Sequence, residues 1–330
     1  MKTVTLIPGD GIGPEIASAV RTVFDALQVP VAFEEVHAGA AVFEKEGAYS
    51  PESVYESLEA NRIALKGPIT TPIGHGFRSL NVQLRKKYDL YQNIRPIKPA
   101  AKLPFKFDDV DMVLFRENTE DLYAGVEEVI SDDEAHSIKI ITADKSRRIV
   151  KAAFDYATKF GRESVTVVTK ANIMKATDGL FLRIAREVAE DYDIPLREIL
   201  VDNMAMQMVM HPAQFDVVVT ENLYGDILSD LGAGLIGGLG MIPGVNKGHD
   251  MAIYEAVHGS APDIANKGIA NPTALLLSAC MLLEDIGERD AAERIRTAIH
   301  DVLSDPATRT RDLGGTLTTA EYIDALLQRL

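Results

Sequence analysis

The chain has 330 residues, 46% of them hydrophobic and 25% charged, with 24 Gly and 15 Pro. This ordinary globular composition excludes collagen-like, disordered and disulfide-scaffold classes. Asp and Glu outnumber Lys and Arg by 49 to 34, for a net charge of −15, and such a field repels nucleic acid and anionic membranes. A few clustered arginines can still hold a small anion. Cys280 is the only cysteine, so an intramolecular disulfide or thiolate metal cluster is out of reach. Its apolar surroundings at 273–283 mark it as a core thiol. No stretch reaches the ~18 apolar residues of a membrane span. The opening Lys2-Thr-Val-Thr-Leu-Ile7 reads as a strand, not as a signal peptide. The expectation is a soluble, cytoplasmic protein that binds neither nucleic acid nor membrane.

Apolar runs alternate with amphipathic stretches along the chain. The strand at 4–7 leads through Pro8-Gly-Asp-Gly-Ile-Gly-Pro-Glu15 into a helix over 14–27. Gly9, Gly11 and Gly13 are spaced G-x-G-x-G, which is not the Rossmann fingerprint. A tight turn and a phosphate cradle are both open there. A strand at 31–36, a helix over 51–60 and a strand at 62–65 follow, then a helix over 79–87. Ser79 can cap that helix, Asn81 and Arg85 share one face, and Arg95 lies just beyond. A helix N-terminus with Ser, Asn and Arg is a good seat for a carboxylate. The strand at 112–115 ends in Arg116, where ligand sites of open α/β sheets lie. Singly, each arginine also reads as a solvated charge; three at element ends of an acidic chain point to a polyanionic substrate. The segment 122–141 breaks the alternation around Ser131-Asp-Asp-Glu134 and reads as a β-arm.

A helix over 144–159 and a strand at 165–168 follow the arm, and Lys170 leaves that strand. It is placed either to transfer protons from a desolvated position or to cap the strand in solvent. A helix over 174–191 and a strand at 217–220 precede a helix over 224–236 that carries Asp226 and Asp230 one turn apart. Like charges at this spacing repel by roughly 0.2–0.5 kcal/mol. A solvated face tolerates that; a divalent cation offsets it, and oxygen ligands suit Mg²⁺ or Mn²⁺. The apolar neighbours Leu223, Ile227, Leu228 and Leu231 weaken the solvated reading. In His258-Gly-Ser-Ala-Pro-Asp-Ile264, Asp263 can accept from ribose hydroxyls, though the loop also reads as an Asx-type turn. Asn271-Pro272-Thr273 starts a helix over 272–286 with Asn as N-cap, and another helix covers 290–303. The alternation predicts an α/β fold with a largely parallel central sheet. Composition marks no linker.

Together the motifs at 8–15, 116–123, 223–234 and 258–272 resemble the isocitrate/isopropylmalate family of metal-dependent β-decarboxylating dehydrogenases. The resemblance is nearest to the family's NAD-dependent isocitrate branch and covers nearly the whole chain. The family does not use a Rossmann fold, in keeping with the failed fingerprint. The resemblance implies an isocitrate/isopropylmalate dehydrogenase-like α/β fold with two α/β domains sharing a central cleft. Residues 1–90 and 238–330 would form the large, cofactor-side domain. Residues 91–237 would form the small domain, which holds the metal and dimerises through a clasp arm at 121–142.

The implied reaction is oxidative decarboxylation of isocitrate, a small tricarboxylate, to 2-oxoglutarate and CO₂ with reduction of NAD. By the family pattern, Arg85, Arg95 and Arg116 hold substrate carboxylates beside Ser79 and Asn81. Tyr123 and Lys170 act as acid/base groups, Lys170 reaching the site of the other subunit. Asp226 and Asp230 bind Mg²⁺ or Mn²⁺ with Asp202 of the partner subunit. Thr71, His258, Gly259, Asp263, Ile264 and Asn271 are cofactor-side positions. A homodimer with shared sites is implied, with room for higher assembly. Asp263 would repel the 2′-phosphate of NADP, and Ile264 offers it no donor. Ser79 and Asn81 match the isocitrate pattern, whereas 201–207 reads more like the homoisocitrate and isopropylmalate branches. The loop 243–248 departs from the usual cofactor loop. The alternatives are therefore homoisocitrate, more distantly 3-isopropylmalate, and a non-catalytic regulatory subunit. Tyr123, Lys170, Asp202, Asp226 and Asp230 are all present, which argues against the last.

Overall fold

A mixed sheet runs through the whole molecule. The computed structural model describes residues 1–330 apart from 48, 71–78, 105, 106 and 108. Among the described residues the strands are β1 (Lys2–Ile7), β2 (Val31–Glu35), β3 (Ile63–Lys66), β4 (Gln92–Ile97), β5 (Met112–Glu117), β6 (Glu127–Ser131), β7 (Glu134–Ser137), β8 (Val165–Thr169), β9 (Leu196–Leu200), β10 (Val217–Thr220), β11 (Pro243–Lys247) and β12 (Ala252–Ala256). Ten of them form one sheet in the order β2-β1-β3-β12-β11-β4-β5-β10-β8-β9. Pairing is parallel at both ends and antiparallel through β12-β11-β4-β5. The largely parallel expectation holds, with an antiparallel centre that the sequence did not announce.

The central strands follow from composition. β8 (Val-Thr-Val-Val-Thr) and β10 (Val-Val-Val-Thr) are buried at every position, as β-branched strands covered by helices on both faces must be. The strands expected at 4–7, 31–36, 62–65, 112–115, 165–168 and 217–220 all form, within a residue or two of the expected ends. β4, β9, β11 and β12 were not expected, nor were the helices Ala40–Glu46, Val201–Met210 and Thr319–Leu327. Asn271 misses its expected place by one residue. The helix starts at Thr273 with Pro272 at the N-cap position, yet Asn271 Oδ1 still accepts the Thr273 N–H at 3.0 Å. The arm forms as expected: β6 and β7 pair as an antiparallel ribbon, exposed along its whole length, with Val129 78% exposed. Cys280 is fully buried. Among the described residues, no helix is long and apolar enough to cross a membrane.

The glycine-rich motif is a tight turn. Gly9 and Gly11 have φ of +77° and +61°, and a Cβ on them would sit 2.1 Å from the Pro68 carbonyl oxygen and 1.9 Å from that of Ser260. The loop's amides are used inside the fold: Asp10 N–H donates to Pro68, Ile12 N–H to Ser260 and Gly13 N–H to Asp10. Three of the loop's donors are thus spent within the fold, which favours the tight turn over the phosphate cradle.

Candidate active site

The C-terminal ends of β5, β10 and β8 lie side by side, because Thr220 is in register with Arg116 on one flank and Val168 on the other. Neighbouring strand ends thus deliver Arg116, the start of the helix Asn222–Ile236, and Lys170 to one edge of the sheet, where open α/β sheets bind ligands. β4 runs antiparallel to β5, with Asn93 opposite Arg116, and it brings in Arg95.

Arg116 is 1% exposed. Its Nε donates to Asn222 Oδ1 at 2.8 Å and its Nη1 bonds Asp226 Oδ1. Its stem lies against the helix backbone at Gly225, where a Cβ would stand 2.5 Å from Arg116 Cγ. That contact explains a glycine inside a helix, which otherwise costs about 1 kcal/mol relative to alanine. Tyr123, in the 3₁₀ turn Asp121–Ala124, donates its hydroxyl to Asp226 Oδ2 and lies under the Arg116 guanidinium. Burial and the bond to Asp226 raise the Tyr123 pKa, so its phenol stays protonated at neutral pH. For Asp226, Arg116 and the Tyr123 bond outweigh burial and keep the carboxylate below its usual range. Asp230, more exposed, is pushed up by burial and by the Asp226 charge, with Arg95 opposing.

Arg95 Nη1 bonds the Ser229 hydroxyl and lies 3.8 Å from Asp226 and 4.0 Å from Asp230. Burial, with Arg116 and Arg85 nearby, pushes it down to about 9. Arg85 lies 3.6 Å from Glu255 and is lowered by burial first and Arg116 second. Among the described residues, the Nε atoms of both arginines and Asn81 Oδ1 are buried without a hydrogen-bond partner. Ser79 sits at the N-cap position of the helix Leu80–Lys87, but its hydroxyl makes no capping bond. This corrects the capping role expected of it: the chain enters through the Ser79 carbonyl, which accepts the Gln83 N–H, with the hydroxyl uncommitted to the helix amides.

Three residues at the back of this pocket were not singled out from sequence. Glu255 on β12 receives Lys66 Nζ at 2.6 Å and Asn246 Nδ2 at 2.6 Å. Burial opposes its charge, but Lys66 and Arg85 outweigh it and bring the carboxyl down to about 2. Lys66 ends an apolar strand, the same signal that marked Lys170. Asn246 Oδ1 also accepts from Asn93 and Asn118, at 2.7 and 2.9 Å.

Lys170 and Asp202 form a pair of their own at 2.6 Å. Among the described residues of one chain, no three His, Cys, Asp or Glu side chains come together as a metal-holding set. On the cofactor side, Thr71 lies outside the described residues. Thr70 beside it bonds Asp10 through its N–H at 2.9 Å and pairs with the Ser260 hydroxyl at 2.7 Å. His258 donates from Nδ1 to the Gly259 carbonyl at 3.0 Å, and burial lowers its pKa. Asp263 is exposed and Ile264 half-buried. Asn271 is buried and donates to Asp312 Oδ2 at 2.9 Å.

A cavity of about 750 Å³ lies on the reverse face, lined by Ile94, Val113, Phe115 and Tyr156. Alternation along β4 and β5 places it opposite Arg95 and Arg116. Four of its rim cations, Lys98, Arg162, Lys247 and Arg296, are each paired with a carboxylate.

Comparison with known proteins decides the lineage. Residues 3–326 match the isocitrate/isopropylmalate dehydrogenase family. The chain belongs to that family. Among relatives of this dehydrogenase family, an NAD isocitrate dehydrogenase catalytic subunit of Arabidopsis thaliana is 49% identical over 99% of this chain and 88% of its own. The alpha subunit of the Bos taurus NAD isocitrate dehydrogenase is 49% identical over 100% and 91%; both relatives are described as mitochondrial. The crystal structure of an isocitrate dehydrogenase from Methylococcus capsulatus superposes with a TM-score of 0.96, at 51% identity, covering 100% of this chain and 99% of that one. The isocitrate/isopropylmalate dehydrogenase-like α/β fold expected from sequence, distinct from the Rossmann fold, is the one observed.

Proposed function

We propose that this chain is a catalytic member of its family, oxidising isocitrate to 2-oxoglutarate and CO₂ with NAD as hydride acceptor. The observation that carries the reading is the convergence of the buried Arg95 and Arg116 on Asp226 beside a protonated tyrosine, with the buried Arg85 on neighbouring Glu255. Names of relatives close to half identical over the full length support the substrate and the cofactor.

Arg85, Arg95 and Arg116 orient the substrate carboxylates, and Ser79 with Asn81 supply polar atoms for the carboxylate that distinguishes isocitrate from isopropylmalate. Lys170 of the partner subunit helps remove the alcohol proton as the hydride leaves the same carbon for NAD. The C–C bond to the β-carboxylate then breaks, CO₂ departs, and its bonding electrons form the enolate. Tyr123, which is protonated at neutral pH, gives its proton to the resulting carbon. Asp226 and Asp230 present only oxygens one helical turn apart, and a hard cation would relieve the repulsion between them. They fit Mg²⁺ or Mn²⁺, with Asp202 of a second copy completing the set. When bound, such a cation acts as a Lewis acid on the developing oxygen charge.

Because Asp202 and Lys170 stand apart from Asp226 within one chain, we take the active unit to be a homodimer with shared sites. The exposed apolar side chains of Val126, Val129, Ile130, Met206, Met210 and Ile227 support a second copy covering the arm and both helices. The sheet supports the proposed domain division: its β2 to β11 half comes from 1–90 and 238–330, its β4 to β9 half from 91–237. A reducing compartment, taken as the cytoplasm, is favoured by the single buried thiol.

The deciding experiment assays the purified chain with isocitrate, homoisocitrate and isopropylmalate, each with NAD and NADP, before and after chelation. Isocitrate with NAD should lead, and activity should vanish in chelator and return with Mg²⁺ or Mn²⁺. A preference for isopropylmalate or NADP, or full activity after chelation, overturns the reading. A chain inactive by itself would be the regulatory subunit. For the shared site, Lys170→Ala and Asp226→Asn chains are mixed and refolded. Random pairing makes about half the dimers mixed, each with one intact site, so about a quarter of wild-type activity should return.

A further inference from the structure

Next to the active site lies a second buried cluster, centred on Lys139 at the foot of the arm's returning limb. Its ammonium faces Asp178 Oδ1 at 2.7 Å, Glu221 Oε2 at 2.5 Å and Asp121 Oδ1 at 3.8 Å. The Tyr224 ring closes the remaining side at 4.4 Å. The three carboxylates are at most 1% exposed.

Each carboxylate holds a different piece of the site. Asp178 Oδ2 accepts the backbone N–H of Lys170 at 2.6 Å and the Tyr224 hydroxyl at 3.0 Å. Asp121 Oδ2 accepts the N–H of Leu223, in the first turn of the helix that carries Asp226, at 2.7 Å. Asp121 also opens the turn that carries Tyr123, and its φ of +70° is a left-handed conformation that a non-glycine residue keeps only under constraint. Glu221 is the residue from which the helix Asn222–Ile236 starts. One ammonium therefore ties the strand end of Lys170 to the turn of Tyr123 and to the helix of Asp226.

We propose that Lys139 is a positioning residue that sets Lys170 and Tyr123 together, so that one Lys139 governs both active sites of the dimer. The proposal rests on the shared-site reading, in which a chain's Tyr123 and Asp226 serve its own site while its Lys170 serves the other. A lesion in a group that touches substrate then disables one site per altered chain. A lesion at Lys139 disables two.

The test co-expresses two differently tagged chains and isolates the mixed dimer by tandem affinity. Wild type paired with Lys170→Ala should keep about half of the wild-type kcat, from one intact site. Wild type paired with Lys139→Met should fall below about a tenth, since misplacement of reacting groups by 1 Å can cost about a hundredfold. Its isocitrate KM should stay within about threefold, as loss of a transition-state arrangement requires. Lys139→Arg, which keeps the charge, should restore most of the activity. A merely structural defect would spoil the altered chain's own site and leave about half, which overturns the proposal. If Lys139→Met chains do not assemble, Lys139→Gln, which also removes the charge from all three carboxylates, takes their place with the same expectations. No recovery in the Lys170→Ala with Asp226→Asn pairing brings down the shared-site reading and the proposal with it. Recovery there, with half activity in the Lys139→Met mixed dimer, brings down the proposal alone.

Discussion

Two buried charge clusters flank the helix Asn222–Ile236, and they are unbalanced in opposite directions. In the front pocket Lys66, Arg85, Arg95 and Arg116 face the buried Glu255 and the partly exposed Asp226 and Asp230, a positive surplus. Behind it, Lys139 alone faces Asp121, Asp178 and Glu221, a negative surplus. The two surpluses are handled differently. In the pocket, the Nε atoms of Arg85 and Arg95 have no partner among the described residues and burial depresses Arg95 to about 9, so the imbalance stands until an anion arrives. Around Lys139, burial pushes Glu221 up to about 8, and a proton taken up by that carboxyl removes part of the charge. A pocket built for a ligand keeps its imbalance; a cluster built to hold parts in place resolves it internally.

The hardest blow to this contrast is Arg116→Ala. It should lower kcat/KM for isocitrate by about 10²–10³-fold, because truncating a buried, paired charge costs several kcal/mol and leaves Asp226 without its main cation. A loss under tenfold in steady-state kinetics would remove the pocket as the seat of the substrate. A smaller effect sharpens the assignment of the polar end. Ser79→Leu with Asn81→Leu should lower isocitrate turnover by about 10–100-fold with the NAD KM little changed, since an unpaired buried carboxylate costs on the order of 1–3 kcal/mol or more. An unchanged isocitrate rate would detach these two residues from specificity.

The smallest effect tests the rear cluster through pH. Burial pushes Glu221 up to about 8 in the folded protein, against the pull of Lys139, whereas an unfolded Glu releases its proton near 4.3. The folded state therefore binds the extra proton in this window, and stability falls as pH rises from about 4.3 toward 8. Glu221→Gln should flatten that fall, by roughly 2 °C or more in Tm between pH 6 and 8.5. Parallel Tm-against-pH curves for the two proteins would mean that Glu221 is already ionised at neutral pH.

What could be read from sequence divides along a similar line. β8 and β10 were legible because unbroken β-branched runs admit few other readings. β4 (Gln-Asn-Ile-Arg-Pro-Ile) and β11 (Pro-Gly-Val-Asn-Lys) were not, since site and sheet-linking polar residues displace the apolar pattern and each strand contains a proline. The arginines were legible from their places at element ends, and Asp226 with Asp230 from their spacing. Glu255 and Asn246 were invisible: only the pairing of β11 with β12 and β4 brings them to Arg85 and Asn93. Lys66 carried a signal that went unused. Lys139, eight residues past the polar turn at 131, carried none, because its partners lie in three other segments.

The seat of β12 has a consequence for synthesis on the ribosome. β12 pairs in parallel with β3 and antiparallel with β11, so it fills the gap between the N-terminal strands and the rest of the sheet. β3 ends at residue 66 and β12 begins at 252. At about 5–20 residues per second, the ribosome takes roughly 10–40 s to cover that interval. Through that time one edge of β3, whose four residues are all buried in the finished protein, has no strand to pair with. Unpaired apolar edges are where nascent chains aggregate, and a chain cut short before 252 carries this one permanently.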